Sequence, residues 1–359
     1  MSMVSPGRAV FVYIAALLCL AAGTGCAEDS SREGADPDGA AADSDTGLRV
    51  ALLTSGPVSD AGWYAGAYEG IQLIQDSLGA QVSHLQTRTP AEFDEAFLSY
   101  ASDGYDLIFA HGFEYQDAAV RAGERFPDVT IVVSGGGRVL LNVVPLIFRL
   151  EEASYLAGLV AGMKTKSGTV GMVGGVEIPP VKGTFDAFRA GVVAAEPSTR
   201  VIETFIGNWD DVAAAKEAAI SQLRAGADVL IHNTDAASFG VFQAVREANA
   251  DGRETWAFGM NSDQNDVAPD VILGSAVIRI PQAFLEVARR YVAGSLEAAP
   301  IYTGVDEDVI DFVFNPARAD QISDDVREAV TLARAQIRAG ALAVPRVPFV
   351  EGEEDPPGS

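Results

Sequence analysis

Polar and aromatic side chains recur in this sequence directly after segments that read as buried strands. The first example is Asp60 with Trp63, which follow the apolar run 48–53 and precede a helix-like run. In an open parallel sheet, ligands bind in the crevice outside the carboxyl ends of the strands, so this pair is placed to contact a ligand. A structural explanation is equally available, in which Asp60 only caps the helix and Trp63 only covers the sheet edge. This stretch alone leaves both explanations open.

Similar residues follow the later strand-like runs, and together they predict one crevice. The further candidates are Phe113, Gly175, Trp209, Asn233, Asp235, Asn261 and Asp263. Flat aromatic rings beside carboxylates and amides suit a planar ligand that forms hydrogen bonds at its edges. Stacking of a base on an aromatic side chain is worth ~1–3 kcal/mol. Sugars are stacked in a similar way, so the pattern alone leaves the ligand class open.

The sequence offers little for catalysis. His84, His111 and His232 lie in separate segments, without the close spacing of metal ligands. Neither a nucleophile elbow nor a phosphate-binding loop is present. The one acid–base pair that can be nominated is Asp60 with Asp263. The sequence therefore predicts a binding protein, not an enzyme, with no cofactor and no metal site.

The elements that must position these residues alternate between strand and helix. The strand-like runs are 48–53, 81–85, 107–110, 130–134 and 143–148, then 169–173, 201–205, 229–232 and 255–258. Such alternation predicts parallel sheets covered by helices, here as an α/β protein of two doubly wound Rossmann-like lobes. We assign 47–150 plus 280–342 to lobe 1, because a late strand and helix most simply return there, and 151–279 to lobe 2. Several crossings then form a hinge, and the polar, Pro-rich residues 343–359 read as a disordered tail.

Composition narrows the possible partners. The chain has 359 residues, of which 48% are hydrophobic, and a net charge of −25. The hydrophobic content excludes a disordered chain. Nucleic acid is excluded as a partner, because binding to phosphates needs a basic surface that releases counterions.

The N-terminal segment predicts export. Arg8, the apolar run 9–22 and the small residues before Cys26 form a signal peptide over 1–26. The apolar run is shorter than the ~20 residues needed to span a bilayer. Cys26 resembles the acylated cysteine of the bacterial lipobox, although Gly23 stands where that motif usually has Leu. Residues 27–46 are acidic and read as a flexible tether. The prediction is an extracytoplasmic domain held on the bacterial cell membrane by a lipid at Cys26, and the alternative is an ordinary cleaved signal.

Five segments occur along the chain in this order: Ser59-Asp60-Ala61-Gly62-Trp63, His111-Gly112-Phe113, Glu151-Glu152-Ala153-Ser154-Tyr155-Leu156-Ala157-Gly158, Gly207-Asn208-Trp209-Asp210-Asp211 and Gly259-Met260-Asn261-Ser262-Asp263-Gln264. Together they resemble the basic membrane protein family of substrate-binding lipoproteins, which serve ABC importers of nucleosides and purines. The resemblance covers about residues 48–316. It implies a type I periplasmic-binding-protein fold whose cleft closes on a ligand, and an importer permease as partner.

Two departures from the family pattern bear on the ligand. Nucleoside-binding members typically have Asp where this chain has Asn261, and a Lys where the nearest match here is Ile278. Trp63 and the segment 232–235 look more like the branch that takes free purine bases. The resemblance therefore favours a purine base over a nucleoside. A sensor, a binder of another small polar ligand such as a sugar, and a surface lipoprotein without a transport role stay as alternatives.

Overall fold

The computed structural model describes residues 47–353. The predicted signal peptide, tether and lipidation site at Cys26 lie outside the described residues, as do residues 354–359. The strands are β1 (Arg49–Thr54), β2 (Gln81–Gln86), β3 (Leu107–His111), β4 (Thr130–Ser134), β5 (Val143–Phe148), β6 (Thr169–Gly174), β7 (Arg200–Phe205), β8 (Val229–Asn233), β9 (Trp256–Asn261), β10 (Ile272–Ile278), β11 (Ile301–Thr303) and β12 (Ile310–Phe314). The helices are α1 (Trp63–Leu78), α2 (Pro90–Ser102), α3 (Gln116–Arg125), α4 (Leu150–Lys164), α5 (Pro179–Ala195), α6 (Val212–Arg224), α7 (Ser238–Ala250), α8 (Ile280–Val292) and α9 (Asp324–Arg338).

The strands form two six-stranded sheets, one in each lobe. The first has the order β11-β5-β4-β3-β1-β2, and the second has the order β12-β10-β9-β8-β6-β7. All pairs are parallel except that of β10 with β12, which is antiparallel. In each sheet the order reverses beside the first strand of the lobe, which is the doubly wound arrangement. The predicted fold of two doubly wound α/β lobes is confirmed.

Burial explains why these segments form strands. Every residue of β3, β5, β6, β8, β9 and β10 is buried. Strands covered by helices on both faces must be apolar throughout, which is why they read as continuous runs and not as alternating patterns. The outer strands β2 and β7 are only half covered and carry polar residues. Polar residues in the central strands are found mainly at the strand ends, next to the cleft.

The chain passes between the two sheets three times, after β5, after β10 and after β11. The three crossing segments are hydrogen-bonded to one another. Arg149 N donates to Thr303 O at 2.8 Å, and Arg279 N donates to Val309 O at 2.8 Å. Val305 N donates to a carboxylate oxygen of Glu152 at 2.7 Å. The lobes are thus joined by a short three-stranded hinge.

The lobe boundaries differ from the expectation after β11. Helix α8 packs on α1 and β11 extends the first sheet, as expected for a return to lobe 1. Strand β12, however, pairs with β10, and α9 packs against α4 on the side of the second lobe. The reason is geometric: a short connection after β11 leads the chain back through the hinge, where β12 adds as an antiparallel edge strand.

The C-terminal segment also differs from the disordered tail that the sequence suggested. Leu342 and Val344 pack against the core, and Val350 is buried. Glu351 N donates a hydrogen bond to Gly137 O at 2.8 Å. These apolar contacts and this hydrogen bond fix an irregular segment that has no helical or strand periodicity. Residues 343–353 are therefore part of the folded protein.

Helices α4 and α5 pack unusually closely at the back of the second lobe. A Cβ built on Gly158 would lie 2.2 Å from Phe188 O, and one built on Gly191 would lie 2.1 Å from Tyr155 O. Glycines thus let the two backbones touch. No helix within residues 47–353 has the length and apolar character required to cross a membrane.

Candidate functional site

A cleft lies between the carboxyl ends of the two sheets. It encloses about 650 Å³, counting its open mouth. The first lobe contributes Trp63, Tyr64, Phe113, Glu114 and Phe148, and the second contributes Pro180, Thr184, Trp209, Asn233, Asp235 and Asn261. Leu150 and Ile278 line it where the chain crosses between the lobes. Six of the nine predicted ligand contacts therefore line one cavity: Trp63, Phe113, Trp209, Asn233, Asp235 and Asn261.

Trp63 forms an aromatic wall of the first lobe. It begins α1, and its indole stacks on His111 with ring centroids 3.8 Å apart and planes inclined by 25°. Phe148 packs edge-on against the same indole at 5.8 Å. Burial lowers the pKa of His111 to about 3, so the imidazole is neutral. Its Nε2 must be the protonated nitrogen, because it donates to the carbonyl oxygen of Trp63 at 3.0 Å. One face of the indole is thus held by a neutral imidazole.

Trp209 contributes an aromatic wall from the second lobe, and its ring packs against Gly175. A Cβ at Gly175 would lie 2.2 Å from Cε3 and 2.4 Å from Cζ3 of the Trp209 ring. Gly175 N also donates to Asn233 O at 2.8 Å, and Gly175 O accepts from Gly207 N at 2.9 Å. Gly175 was expected to contact the ligand. In the structure Gly175 does not line the cavity but packs against the ring of Trp209.

Two carboxyl groups lie on short 3-10 turns that follow equivalent strands of the two lobes. Glu114 follows β3 and Asp235 follows β8. The pKa of Asp235 is raised well above its usual value, mainly by burial and to a smaller extent by the negative charges of Asp60 and Glu114. Burial likewise raises the pKa of Glu114, which accepts a hydrogen bond from Ser55 Oγ. These environments favour the uncharged form, in which a carboxyl can donate one hydrogen bond and accept others.

Two amides complete the polar surface. Asn261 Nδ2 donates to Asp235 Oδ1 at 3.0 Å, and Asn233 Nδ2 donates to Thr184 Oγ1 at 3.2 Å. Each amide oxygen stays available as an acceptor beside a carboxyl or hydroxyl group. The residues that line the cleft include neither Lys nor Arg. The site is therefore suited to a neutral ligand that carries both N–H donors and acceptor atoms, and less suited to an anion.

Asp60 and Asp263 do not line the cavity. Both oxygens of Asp60 are engaged at the start of α1, where they accept from Gly62 N at 3.2 Å, Tyr64 N at 2.9 Å and Ala65 N at 2.8 Å. The structural explanation for Asp60 is thus the correct one. Asp263 Oδ1 accepts from Asn265 N at 3.1 Å and shapes its own loop. Among the described residues, no group of three or more His, Cys, Asp or Glu side chains is arranged to hold a metal.

A direct contact joins the two lobes beside the cleft. Ser262 Oγ and Gln264 Nε2 of the second lobe donate to Ala61 O of the first lobe at 2.7 Å and 3.2 Å. Gln264 Oε1 in turn accepts from His232 Nε2 at 2.9 Å and from Met260 N at 3.0 Å. Burial lowers the pKa of His232 to about 4, which keeps the imidazole neutral. These hydrogen bonds form an interlobe latch, made of Ala61, Ser262 and Gln264, that holds the two lobes together.

Sequence reasoning missed several cleft residues. Tyr64 and Glu114 directly follow Trp63 and Phe113, which it had selected, whereas Phe148 at the end of β5 and Thr184 in α5 are not adjacent to any selected position. Glu114 could have been found from its position, because it follows β3 of the first lobe as Asp235 follows the equivalent strand β8 of the second lobe. Phe349 also lines the cleft, from the C-terminal segment. No sequence pattern pointed to it, because a chain end can return to a cleft without any periodicity.

Two α/β lobes, three hinge segments and an interlobe cleft lined by aromatic and amide groups define a substrate-binding protein of the type I periplasmic kind. The family model for the PnrA-like substrate-binding proteins of ABC transporters, named Bmp, matches residues 48–341. The chain belongs to this family. Its function is that of the substrate-binding component of an ABC importer, as the sequence resemblance had predicted.

Known proteins agree with this assignment. A purine-binding protein of Brucella abortus is 27% identical over 307 residues, which are 85% of this chain and 85% of that protein. An ABC transporter nucleoside-binding protein of Lactococcus lactis is 24% identical and covers 94% of this chain and 99% of its own. A solute-binding protein of an ABC transporter system from Aeropyrum pernix superposes with a TM-score of 0.77 at 21% identity, over 85% of this chain and 94% of that one.

Proposed function

We propose that the ligand is a purine base, held between the indoles of Trp63 and Trp209 and delivered to the permease of an ABC importer. The observation that carries this proposal is the pair of aromatic walls, one on each lobe, beside the Asp235–Asn261 hydrogen-bonded pair. The purine-binding relative from Brucella abortus supports it. A planar ring between two indoles gains stacking on both faces, at ~1–3 kcal/mol for each aromatic contact.

The edge groups fit a base better than a nucleoside. A carboxylate can accept two hydrogen bonds from ribose hydroxyls, whereas the amide of Asn261 already directs its Nδ2 to Asp235. Ile278 presents an apolar surface to the cleft where nucleoside binders have a Lys. The carboxyl of Asp235 and the amide of Asn233 can instead pair with the alternating N–H and nitrogen acceptor groups of a purine edge.

Calorimetry tests the ligand class. Adenine, guanine, hypoxanthine and their nucleosides are titrated into wild type, Trp63→Ala, Trp209→Ala and the matched control Trp256→Phe, which changes the one tryptophan that does not line the cleft. At least one base should bind more tightly than every nucleoside. Loss of either cleft indole should weaken it roughly fivefold to over a hundredfold. A nucleoside that binds more tightly than all bases overturns the base assignment.

We also propose that binding involves no chemical conversion of the ligand. The one acid–base pair that the sequence offered is not assembled in the cleft, because Asp60 and Asp263 do not line it. Prolonged incubation with adenosine, inosine or guanosine, followed by chromatography, should return the nucleoside intact. Release of free base and ribose at a rate proportional to protein concentration would establish an enzyme instead.

The proposed cellular setting is outside the cytoplasm, on a membrane that holds the protein through a lipid on Cys26. The signal-like segment 1–26 and the acidic segment 27–46 support this proposal. Expression in a bacterial host followed by fractionation tests it. Cys26→Ser should move the protein from the membrane to the soluble fraction, whereas Cys19→Ser, which changes the only other cysteine, should not. Equal partition of wild type and Cys26→Ser would refute the anchor.

A further inference from the structure

Residues 345–353, here named the strap, continue the chain after α9 and lie beside the cleft. The family match ends at residue 341, so the strap lies beyond it. Its own contacts give it a fixed shape. Arg346 and Glu353 form an ion pair at 3.1 Å in which the Glu353 side chain is only 10% exposed. Glu353 N donates to Val350 O at 3.0 Å, and Val350 is buried. The strap is thus a built element.

The strap is attached to the first lobe at the loop after β4. Glu351 N donates to Gly137 O at 2.8 Å. A Cβ at Gly137 would lie 2.1 Å from Phe349 O, so a glycine is required for the two backbones to approach this closely. Arg138, the next residue of the loop, lies 3.6 Å from a carboxylate oxygen of Glu351. These contacts hold Phe349 against the cleft.

The side chain of Phe349 reaches the ligand cavity. It lines the same space as Trp63 and Trp209. Its ring meets the ring of Phe113 edge-on, with centroids 6.2 Å apart and planes inclined by 70°. Gly135, from the same loop as Gly137, lines the cavity beside them. Phe113 of the first lobe and Phe349 of the strap therefore form one apolar part of the cavity wall.

We propose that Phe349 is a specificity-determining residue that limits the size of the ligand and so selects a base over a nucleoside. This inference rests on the proposed function for the identity of the ligand. Phe349 occupies part of the cavity wall, and the ribose of a nucleoside needs space in the cavity that a bare base does not need. The apolar rings of Phe113 and Phe349 offer no partner for ribose hydroxyls, and burying a hydroxyl without a hydrogen bond is costly.

The first arm of the test measures selectivity. Adenine, hypoxanthine, adenosine and inosine are titrated by calorimetry into wild type, Phe349→Ala, Phe349→Leu and Phe314→Ala, a matched control because Phe314 is also half-buried but lies outside the cleft lining. In Phe349→Ala the ratio of base affinity to nucleoside affinity should fall by about tenfold or more, which corresponds to ~1.4 kcal/mol. Phe349→Leu should restore most of the ratio. An unchanged ratio in Phe349→Ala, with purine binding intact, overturns the strap proposal and leaves the proposed function standing.

The second arm needs no ligand, and it tests separately from the proposed function whether the strap covers the cleft. The chain has 3 tryptophans, of which Trp63 and Trp209 line the cleft while Trp256 is buried elsewhere. Acrylamide quenching of tryptophan fluorescence should increase in Phe349→Ala and in a chain that ends at residue 344, but not in Phe314→Ala. Circular dichroism checks that each variant is folded. Quenching equal to wild type in both strap variants would mean that the strap does not cover the cleft, and it would overturn the proposal.

Discussion

A methyl group added at Gly175 should weaken ligand binding almost as much as removal of the Trp209 ring. The Cβ of alanine would lie 2.2 Å from Cε3 and 2.4 Å from Cζ3 of that ring. Optimal carbon–carbon contacts lie at about 3.5–4.0 Å, so the indole must move by roughly 1 Å or more. The backbone has little freedom to yield instead, because Gly175 N and O both belong to hydrogen bonds with Asn233 and Gly207.

The magnitude follows from the stacking contribution of one indole. An aromatic wall is worth ~1–3 kcal/mol per base, so displacing it should weaken the affinity roughly fivefold to over a hundredfold. Because the two changes act on one contact, their effects should not add. In a Trp209→Ala background, Gly175→Ala should therefore cost little further affinity.

Calorimetry on wild type, Gly175→Ala, Trp209→Ala and the double variant measures this double-mutant cycle, with adenine or hypoxanthine as the probe. Thermal denaturation of each variant shows whether the second lobe stays folded. Wild-type affinity in Gly175→Ala would refute the inference that the glycine positions the ring. Fully additive losses in the double variant would refute the shared mechanism.

Three further predictions concern the latch, a buried acid and the helix packing. Ser262→Ala removes the 2.7 Å hydrogen bond to Ala61 O, which should weaken ligand affinity by about 0.5–1.5 kcal/mol and leave the lobes more open in small-angle scattering. Burial raises the pKa of Glu151 to about 7 from an ordinary 4.5. Between these two pH values the Glu151 carboxyl is ionised in the unfolded chain but not in the folded protein. The free energy of unfolding should therefore fall by roughly 3 kcal/mol as the pH rises through this range. Urea titrations at a series of pH values measure this dependence, which should be much weaker in Glu151→Gln. Gly158→Ala places a Cβ 2.2 Å from Phe188 O and should lower the free energy of unfolding by about 1–3 kcal/mol in thermal denaturation.

Each of these three has an outcome that would contradict it. Equal scattering profiles for Ser262→Ala and wild type without ligand, together with equal ligand affinities, would show that the latch does not contribute to closure. A pH slope that persists in Glu151→Gln would have to come from another group. A wild-type melting temperature for Gly158→Ala would mean that the two helix backbones can separate without cost. Thr331→Ala, which removes a hydroxyl bonded within its own helix, serves as a control for the hydroxyl deletion.

The order of strands and helices could be read from the sequence because burial on both faces forces a continuous apolar run. The same logic located most of the cleft, since polar residues after such runs must gather at one edge of each sheet. It could not decide between the two roles of Asp60. That choice depends on whether three backbone N–H groups point at its carboxylate, which only the folded turn at Gly62 shows.

Other features depend on contacts between distant parts of the chain, for which local patterns carry no signal. Which of the two sheets β12 joins depends on how the short hinge segment after β11 turns. Gly175 looked like a ligand contact because it follows a strand, and its role became clear only with the Trp209 ring lying against it. Nothing in the sequence indicated Phe349, because its position depends on contacts of the strap with Gly137, Arg138 and Phe113, which lie far away in the sequence.

The interleaved connectivity of the two lobes has a consequence for how the protein is made. The core of the first lobe is incomplete without α8, since Phe284 stacks on Phe109 of β3 with ring centroids 4.1 Å apart. The edge strand β11 of that lobe and the edge strand β12 of the other come later still. Neither sheet is complete until the residues that follow position 300 have left the ribosome. Because non-local contacts of this kind form late, no N-terminal fragment of the chain should fold as an autonomous domain during synthesis.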